Sequence, residues 1–257
     1  MSKLNTMSKL PANVYDQVYL DRGDGEVIVL LHGLFGNLSN WRSVVDHFSL
    51  KYRVIIPRLP IFEMPRGQAN LEKLTDILQE IVGKRNLKSI TLVGNSLGGH
   101  LALMYALRHP EKVKRLVLTG SSGLFENATG NSFPRVKDYE YVRERVQHTF
   151  YKKEVVTKEL VDEVYAAVQE MPKTLSLIGL ARSAQQNNLG SSLHRINTPT
   201  LLIWGLEDTI TPPNVALHFH DLLPQSQLKF IEDCGHVPMM EYPQLFNQYM
   251  DEFLKHN

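Results

Sequence analysis

The sequence is poor in cysteine and has no long hydrophobic segment. Cys234 is the single cysteine among 257 residues, so an intramolecular disulfide framework is excluded. No apolar stretch approaches the roughly 20 residues that a helix needs to cross a bilayer. Residues 1–11 are largely polar and lack the apolar core of a secretory signal. We therefore expect an intracellular, cytoplasmic protein that does not associate with membranes.

The charges are balanced, and no run of like charge occurs. The chain has 28 Lys and Arg residues and 27 Asp and Glu residues, which gives a formal net charge of +1. Such a balance argues against nucleic acid as a partner. The histidines lack metal-ligand spacing, and there is no phosphate-binding glycine loop or dinucleotide fingerprint. We expect a small-molecule partner, no cofactor and no metal; the sequence leaves homo-oligomer formation open.

Six short, mostly apolar segments recur along the chain, and turn-forming residues soon follow each of them. Such segments predict strands buried on both faces, as in a parallel sheet between layers of helices. Helical spacing over 69–84, 97–108 and 243–255 predicts helices between and after the strands. The sequence therefore predicts an α/β fold with a doubly wound, mostly parallel sheet. The predicted strands are 27–31, 53–56, 90–93, 115–118, 200–204 and 228–231, with an antiparallel edge strand within 14–20.

The alternation of strands and helices is interrupted between residues 122 and 197. This stretch has no convincing buried strand and instead shows helical patterns over 139–150, 158–169 and 172–186. Turn-rich segments lie on both sides of it. We predict a helical lid, 122–197, inserted between two strands of a core that comprises residues 1–121 and 198–257.

The motif Gly94-Asn95-Ser96-Leu97-Gly98-Gly99 follows a predicted strand and opens a predicted helix. In this context Gly-x-Ser-x-Gly forms a tight turn that presents the serine hydroxyl above the carboxyl edge of the sheet. The same turn places the Leu97 amide at a helix N-terminus, where it can stabilise a developing negative charge. The motif predicts Ser96 as a nucleophile.

Two further motifs follow in an order that is informative. Asp208 lies in Gly205-Leu206-Glu207-Asp208 after the fifth predicted strand, and His236 lies in Cys234-Gly235-His236 after the sixth. With the serine motif, they resemble the α/β-hydrolase superfamily over nearly the whole chain, with the chain order serine, acid, histidine. The resemblance implies a triad in which Ser96 attacks, His236 transfers the proton and Asp208 orients the imidazole.

The segment His32-Gly33-Leu34-Phe35-Gly36 follows the first predicted strand directly. It resembles the superfamily's His-Gly motif, whose backbone amide completes the oxyanion hole. The resemblance implies Leu34 as this donor, with Phe35 as the alternative, beside the Leu97 amide.

Other residues compete for these roles. Glu207 is a rival for the acid because it is adjacent to Asp208, and Glu126 follows the fourth predicted strand, where some relatives carry their acid. We favour Asp208. His236 directly follows the last predicted strand segment and its turn, which distinguishes it from the other histidines.

Three further residues near the motifs receive structural interpretations. We expect His32 to shape its loop and His100, one helical turn beyond Ser96, to pack against the sheet. Cys234 is interpreted as a small buried residue.

The substrate is the least defined part of the prediction. Apolar residues near the motifs favour an apolar pocket, and with it a small apolar substrate such as a carboxylic ester. The predicted pocket residues are Phe35, Leu124, Phe125, Val237 and Met239. Further candidates are Leu34, Trp41, Phe133 and Met240.

An alternative is hydrolysis of a carbon–carbon bond, as in meta-cleavage product hydrolases. The Gly-Asn-Ser-x-Gly-Gly motif and residues 121–124 resemble that branch. Val237, however, stands where those enzymes often have a tryptophan. An acidic dienoate needs a basic partner, for which Lys173 and Arg182 are candidates. A second alternative is a non-catalytic relative that binds a small ligand.

Overall fold

A computed structural model describes residues 18–34, 38–65, 67–126 and 135–257. Within these residues the chain forms seven β-strands and nine α-helices. The strands are β1 (Val18–Arg22), β2 (Val27–Leu31), β3 (Arg53–Pro57), β4 (Ile90–Asn95), β5 (Val113–Thr119), β6 (Thr200–Gly205) and β7 (Ser226–Ile231). The helices are α1 (Arg42–Phe48), α2 (Leu71–Lys84), α3 (Leu97–Arg108), α4 (Tyr139–His148), α5 (Lys158–Gln169), α6 (Met171–Gln186), α7 (Pro213–Leu222), α8 (Pro238–Glu241) and α9 (Pro243–His256).

The strands form one sheet in the order β1-β3-β2-β4-β5-β6-β7. β1 is antiparallel to β3, and the other neighbouring strands are parallel. Leu31 pairs with Gly94, and Asn95 pairs with Thr119. The carboxyl ends of β2, β4 and β5 therefore meet at one edge of the sheet. The predicted α/β fold with a mostly parallel sheet is confirmed.

The central and edge strands differ in burial. Every residue of β4 is buried, because this strand lies in the middle of the sheet. In β7 only Ile231 is buried, while the residues before it alternate between half-buried and exposed. The prediction that 228–231 is buried on both faces is therefore wrong, since β7 lies at the edge of the sheet. The predicted edge strand is observed as β1 from residue 18; residues 14–17 lie outside the described residues.

Three helices, α4, α5 and α6, lie in the chain between β5 and β6, and we call them the inserted helices. Buried valines such as Val142, Val161 and Val164 join them, and the Tyr139 hydroxyl donates to Asp162 at 2.7 Å. The Ser176 hydroxyl donates to the Ile61 carbonyl at 2.6 Å and connects α6 to the sheet domain. The predicted helical patterns are observed; the domain boundaries at 121/122 and 197/198 stay a prediction.

Candidate active site

Ser96 occupies the turn between β4 and α3. Its backbone has φ 54° and ψ −121°, a conformation that costs a non-glycine residue free energy and persists only where its surroundings enforce it. The Ser96 amide donates to Thr119 O at 3.1 Å, and its carbonyl accepts from Gly99 N and Ser122 N at 3.0 and 3.2 Å. These bonds fix the strained turn to the neighbouring strand end.

Close backbone contacts leave no alternative to glycine in this turn. A Cβ atom at Gly98 would overlap the carbonyl of Leu31, at the end of β2. One at Gly33 would lie 3.1 Å from the Ser96 Cβ. The segment that contains Leu34 therefore passes beside Ser96, as the oxyanion-hole prediction requires.

Asp208 and His236 form a buried pair. Asp208 Oδ2 lies 2.8 Å from His236 Nδ1, and the two residues are 3% and 4% exposed. The other carboxylate oxygen accepts from the amides of Ile210 and Thr211 at 2.9 Å each, and the Thr211 hydroxyl donates to Oδ2 at 2.8 Å. Because a carboxylate only accepts hydrogen bonds, Nδ1 is the donor and Nε2 of the imidazole is left as the basic nitrogen.

Asn95, to which the sequence analysis gave no role, holds the histidine loop. Its side-chain amide donates to the carbonyls of Thr119 and His236, both at 3.0 Å. On the other side of the loop, Gly120 has φ 50°, and a Cβ there would lie 2.8 Å from His236 Nδ1. Asn95 thus connects the turn that contains Ser96 to the loop that contains His236, and its place in the Gly-Asn-Ser motif is the signal that could have indicated this.

The two rival acids have other surroundings. Glu207 Oε2 accepts from the Cys234 amide at 2.9 Å and so braces the histidine loop. Glu126 lines the same cavity as Ser96 and His236. Burial raises the pKa of Glu126, and a positive charge on His236 opposes that rise. The carboxylate that hydrogen-bonds to the imidazole is that of Asp208.

A single cavity contains Ser96, His236 and Leu34. The surface of its wall is largely apolar, and five of the ten apolar lining residues come from the inserted helices. The charged residues Arg145 and Glu126 are among its polar lining residues. The apolar lining residues beyond Leu34 are Val142, Val146, Phe150, Leu160, Val164, Ala181, Ile210, Val237 and Met240.

Of the predicted pocket residues, Val237 lines this cavity. Leu124, Phe125 and Met239 are not among its lining residues, so the prediction that they line this cavity is wrong. Phe125 is 55% exposed to solvent, while Met239 is 2% exposed within the core. Helix α8 directs Met239 into the core, and its neighbour Met240, one of the further candidates, lines the cavity. Phe35 and Phe133 lie outside the described residues.

The basic residue of the cavity also differs from expectation. Lys173 pairs with Glu170 at 2.7 Å on the surface, and Arg182 is exposed. Arg145 of α4 lines the cavity, and its Nε donates to the Tyr141 hydroxyl at 3.3 Å. The sequence analysis missed Arg145 because its position depends on how α4 packs over the sheet.

Two other histidines, His32 and His100, and the cysteine Cys234 are buried. Burial lowers the pKa of His32, and its Nδ1 donates to the Gly33 carbonyl at 2.8 Å. Burial lowers the pKa of His100 to about 4, and its Nδ1 lies 3.4 Å from the Ser122 hydroxyl. Burial raises the pKa of the Cys234 thiol. These groups are neutral at neutral pH and shape the surrounding loops.

Comparison with known proteins agrees with the fold and the motifs. The family model described as alpha/beta hydrolase fold matches residues 26–153 and 146–243. A 2-hydroxy-6-oxo-2,4-heptadienoate hydrolase of Pseudomonas putida is 30% identical, with 91% of each chain covered. Lipase 1 of Psychrobacter immobilis is also 30% identical, and the alignment covers 93% of this chain and 81% of the lipase.

A solved structure of similar fold is an α/β-hydrolase enzyme from the metagenome of lagoon sediments of Mar Chica, Morocco. It is 39% identical in sequence, with a TM-score of 0.76, and the alignment covers 92% of this chain and 94% of that enzyme's chain. The chain belongs to the α/β-hydrolase fold family and is a hydrolase. None of the helices within the described residues is long and apolar enough to span a membrane.

Proposed function

We propose that this protein is a serine hydrolase of small, largely apolar carboxylic esters, with Ser96, His236 and Asp208 as its triad. The observation that carries the proposal is the cavity shared by the strained Ser96 and by a histidine whose Nδ1 is bonded to a buried carboxylate. A backbone strained at one serine, beside an oriented base, is typical of a functional site.

The reaction follows from the roles of these groups. Ser96 Oγ attacks the ester carbonyl carbon while His236 Nε2 accepts the hydroxyl proton, and the resulting oxyanion is bound by the amides of Leu34 and Leu97. The imidazolium returns the proton to the alcohol as the carbon–oxygen bond breaks. Water then attacks the acyl-enzyme with His236 as base, and the acid and free Ser96 are released. Asp208 holds the imidazole tautomer throughout.

The inserted helices define the acyl pocket in this proposal. Their apolar residues Val142, Val146, Leu160 and Val164 line the cavity above the nucleophile. Burial of an apolar acyl chain against them contributes about 25 cal/mol per Å² of area removed from water. We propose that residues 122–197 act as the lid of the site. The similarity to Lipase 1 supports an ester substrate.

Carbon–carbon bond hydrolysis of a dienoate is the second candidate. It is supported by Arg145, which gives the cavity a guanidinium that can bind a carboxylate. The similarity to the heptadienoate hydrolase supports it as well. Glu126 is the acidic residue of the same cavity, and burial raises its pKa.

A fluorophosphonate probe and a substrate panel test the proposal. The folded protein should be labelled at Ser96, and Ser96→Ala should remove labelling and turnover. Ser49→Ala, at the end of α1, is the matched control and should keep both. The panel comprises p-nitrophenyl acetate, butyrate and octanoate together with 2-hydroxy-6-oxo-2,4-heptadienoate.

The outcomes separate the candidate functions. A higher kcat/KM for an ester than for the dienoate supports the ester proposal, and the reverse replaces it with carbon–carbon hydrolysis. A folded protein that is neither labelled nor active would refute a serine hydrolase and point to a ligand-binding protein.

A further inference from the structure

A buried acidic side chain outside the proposed triad joins the loop of His236 to the segment that follows α4, the first of the inserted helices. Glu241, the last residue of α8, is 5% exposed. Its Oε1 accepts from the Gly235 amide at 2.8 Å. Its Oε2 accepts from the amides of Tyr151 and Lys152 at 2.9 and 2.8 Å. One side chain therefore binds two backbone segments that are more than 80 positions apart in the sequence.

The same two segments touch directly. The His236 amide donates to the Thr149 carbonyl at 3.0 Å. A Cβ atom at Gly235 would lie 2.8 Å from Tyr151 N and 2.9 Å from Thr149 O. The residue before the catalytic histidine is thus in backbone contact with the segment that follows α4.

The segment after α4 is also part of the cavity wall. Thr149 and Phe150 line the cavity together with Val142 and Val146 of α4. A shift of α4 would therefore move both the substrate wall and the backbone bonded to Glu241.

The Glu241 site requires two accepting oxygen atoms, because three amide donors converge on them. Burial raises the pKa of Glu241, and the hydrogen bonds from these amides oppose that rise. Without an acceptor at this position, three backbone amides would lose their hydrogen-bond partners, which destabilises a buried segment. Glutamine has the same shape but only one accepting atom, so it cannot satisfy both segments.

We propose that Glu241 is a positioning residue that holds the His236 loop in register with the inserted helices. The placement of the imidazole then depends on the position of the lid. This inference rests on the proposed function, because it assigns His236 the role of base. Glu241 itself has no contact with the reacting atoms.

The kinetic test compares Glu241→Gln with Glu207→Gln. Glu207 braces the same loop through Cys234 and makes no bond to the inserted helices among the contacts described for it. Active sites are first counted by fluorophosphonate labelling, so that unfolded protein does not enter the rate. For Glu241→Gln we expect kcat per labelled site to fall about 10- to 100-fold, since small misplacements of a catalytic group have effects of this size. KM should change less than kcat, and Glu241→Asp should recover part of the loss.

The control defines the result that would overturn the inference. Glu207→Gln should lower kcat per labelled site only a few-fold. Two results would assign Glu241 a role in folding alone. One is an equal kcat for the two glutamine variants. The other is a wild-type kcat per labelled site in Glu241→Gln with fewer labelled sites.

Hydrogen exchange of the wild-type protein tests the connection without any variant. The amides of Gly235, Tyr151 and Lys152 should be protected and should open together. If Tyr151 and Lys152 exchange like an exposed peptide while Gly235 stays protected, the connection is refuted. Absence of Ser96 labelling in the wild type would refute the proposed function instead, and the exchange measurement would still decide the connection.

Discussion

The carboxyl edge of the sheet and the inserted helices contribute to the same cavity, but they are built differently. At the sheet edge, backbone atoms touch: Gly98 lies against the Leu31 carbonyl, and the strained Ser96 is bonded to Thr119. The inserted helices meet through apolar side chains such as Val142 and Val164. Backbone contacts at the edge therefore fix the position of Ser96, while the inserted helices contribute side chains to the cavity wall.

This difference explains how relatives of similar identity carry different names. A lipase and a dienoate hydrolase are each 30% identical to this chain. In the proposed function the sheet edge supplies the nucleophile and the base, and the fold alone does not determine the substrate. The proposal therefore assigns substrate preference to the side chains of the inserted helices.

The largest effect is expected at the rigid edge, from Asp208→Asn. Asparagine can occupy the same space, but its amide group can stabilise the wrong imidazole tautomer, so kcat should fall by about 10⁴-fold. Glu207→Gln, one residue earlier, should stay within a few-fold of wild type because Glu207 bonds to Cys234 N. Steady-state kinetics of both folded variants checks this. A greater loss in Glu207→Gln would reverse the assignment of the acid.

An intermediate effect is expected for the buried His100 of α3, on the pH dependence of the free energy of unfolding. Its pKa is lowered from 6.5 to about 4 in the folded state, so between these pH values the unfolded chain binds a proton that the folded chain does not. The stabilisation is fully present above pH 6.5 and is lost as pH falls towards 4, by about 3 kcal/mol in total. Urea unfolding between pH 4 and 7 should show a weaker pH dependence in His100→Asn.

The control for this measurement is His218→Asn, because His218 is exposed in α7. It should leave the pH dependence of the unfolding free energy unchanged. If His100→Asn follows the wild-type curve, another group is responsible for the loss of stability in acid.

The smallest effect is expected in the inserted helices, from Leu160→Ala. Leu160 lines the cavity, and its truncation should make room for a longer acyl chain. The ratio of kcat/KM for octanoate over acetate should rise about tenfold, which is within the 1–3 kcal/mol that a change in an apolar pocket produces. Leu175→Ala, on α6 and 39% exposed, should leave the ratio unchanged. An equal rise in both variants would contradict the assignment of the pocket wall.

Local sequence signals predicted the frame of the molecule well. The strand at 27–31, the helix at 97–108 and the helix at 158–169 have the same bounds in the structure, because each is specified by a continuous apolar run or by helical spacing with turn residues at its ends. Burial on both faces of β7 was wrong, since a strand's place in the sheet order is not encoded within the strand.

The cavity was predicted less well, because its walls depend on packing between distant segments. Arg145, to which the sequence analysis gave no role, lines it, whereas Phe125 and Met239 are not among its lining residues. Which side chain faces the cavity is decided by the orientation of α4 and α8. The hydrogen bonds of Asn95 and Glu241 were missed because their partners lie far away in the sequence. Asn95 alone carried a local signal, its place beside Ser96 in the Gly-Asn-Ser motif.

The burial of Cys234 makes the chain well suited to site-specific labelling. Cys234 is the single cysteine of the sequence and is 0% exposed. Burial raises the pKa of its thiol, which disfavours the thiolate that reacts with maleimides. A cysteine introduced at an exposed position, such as Leu217→Cys on α7, would therefore be the one that takes up a fluorophore in the native protein. Single-molecule and surface-attachment experiments could start from the natural sequence without first removing a native thiol.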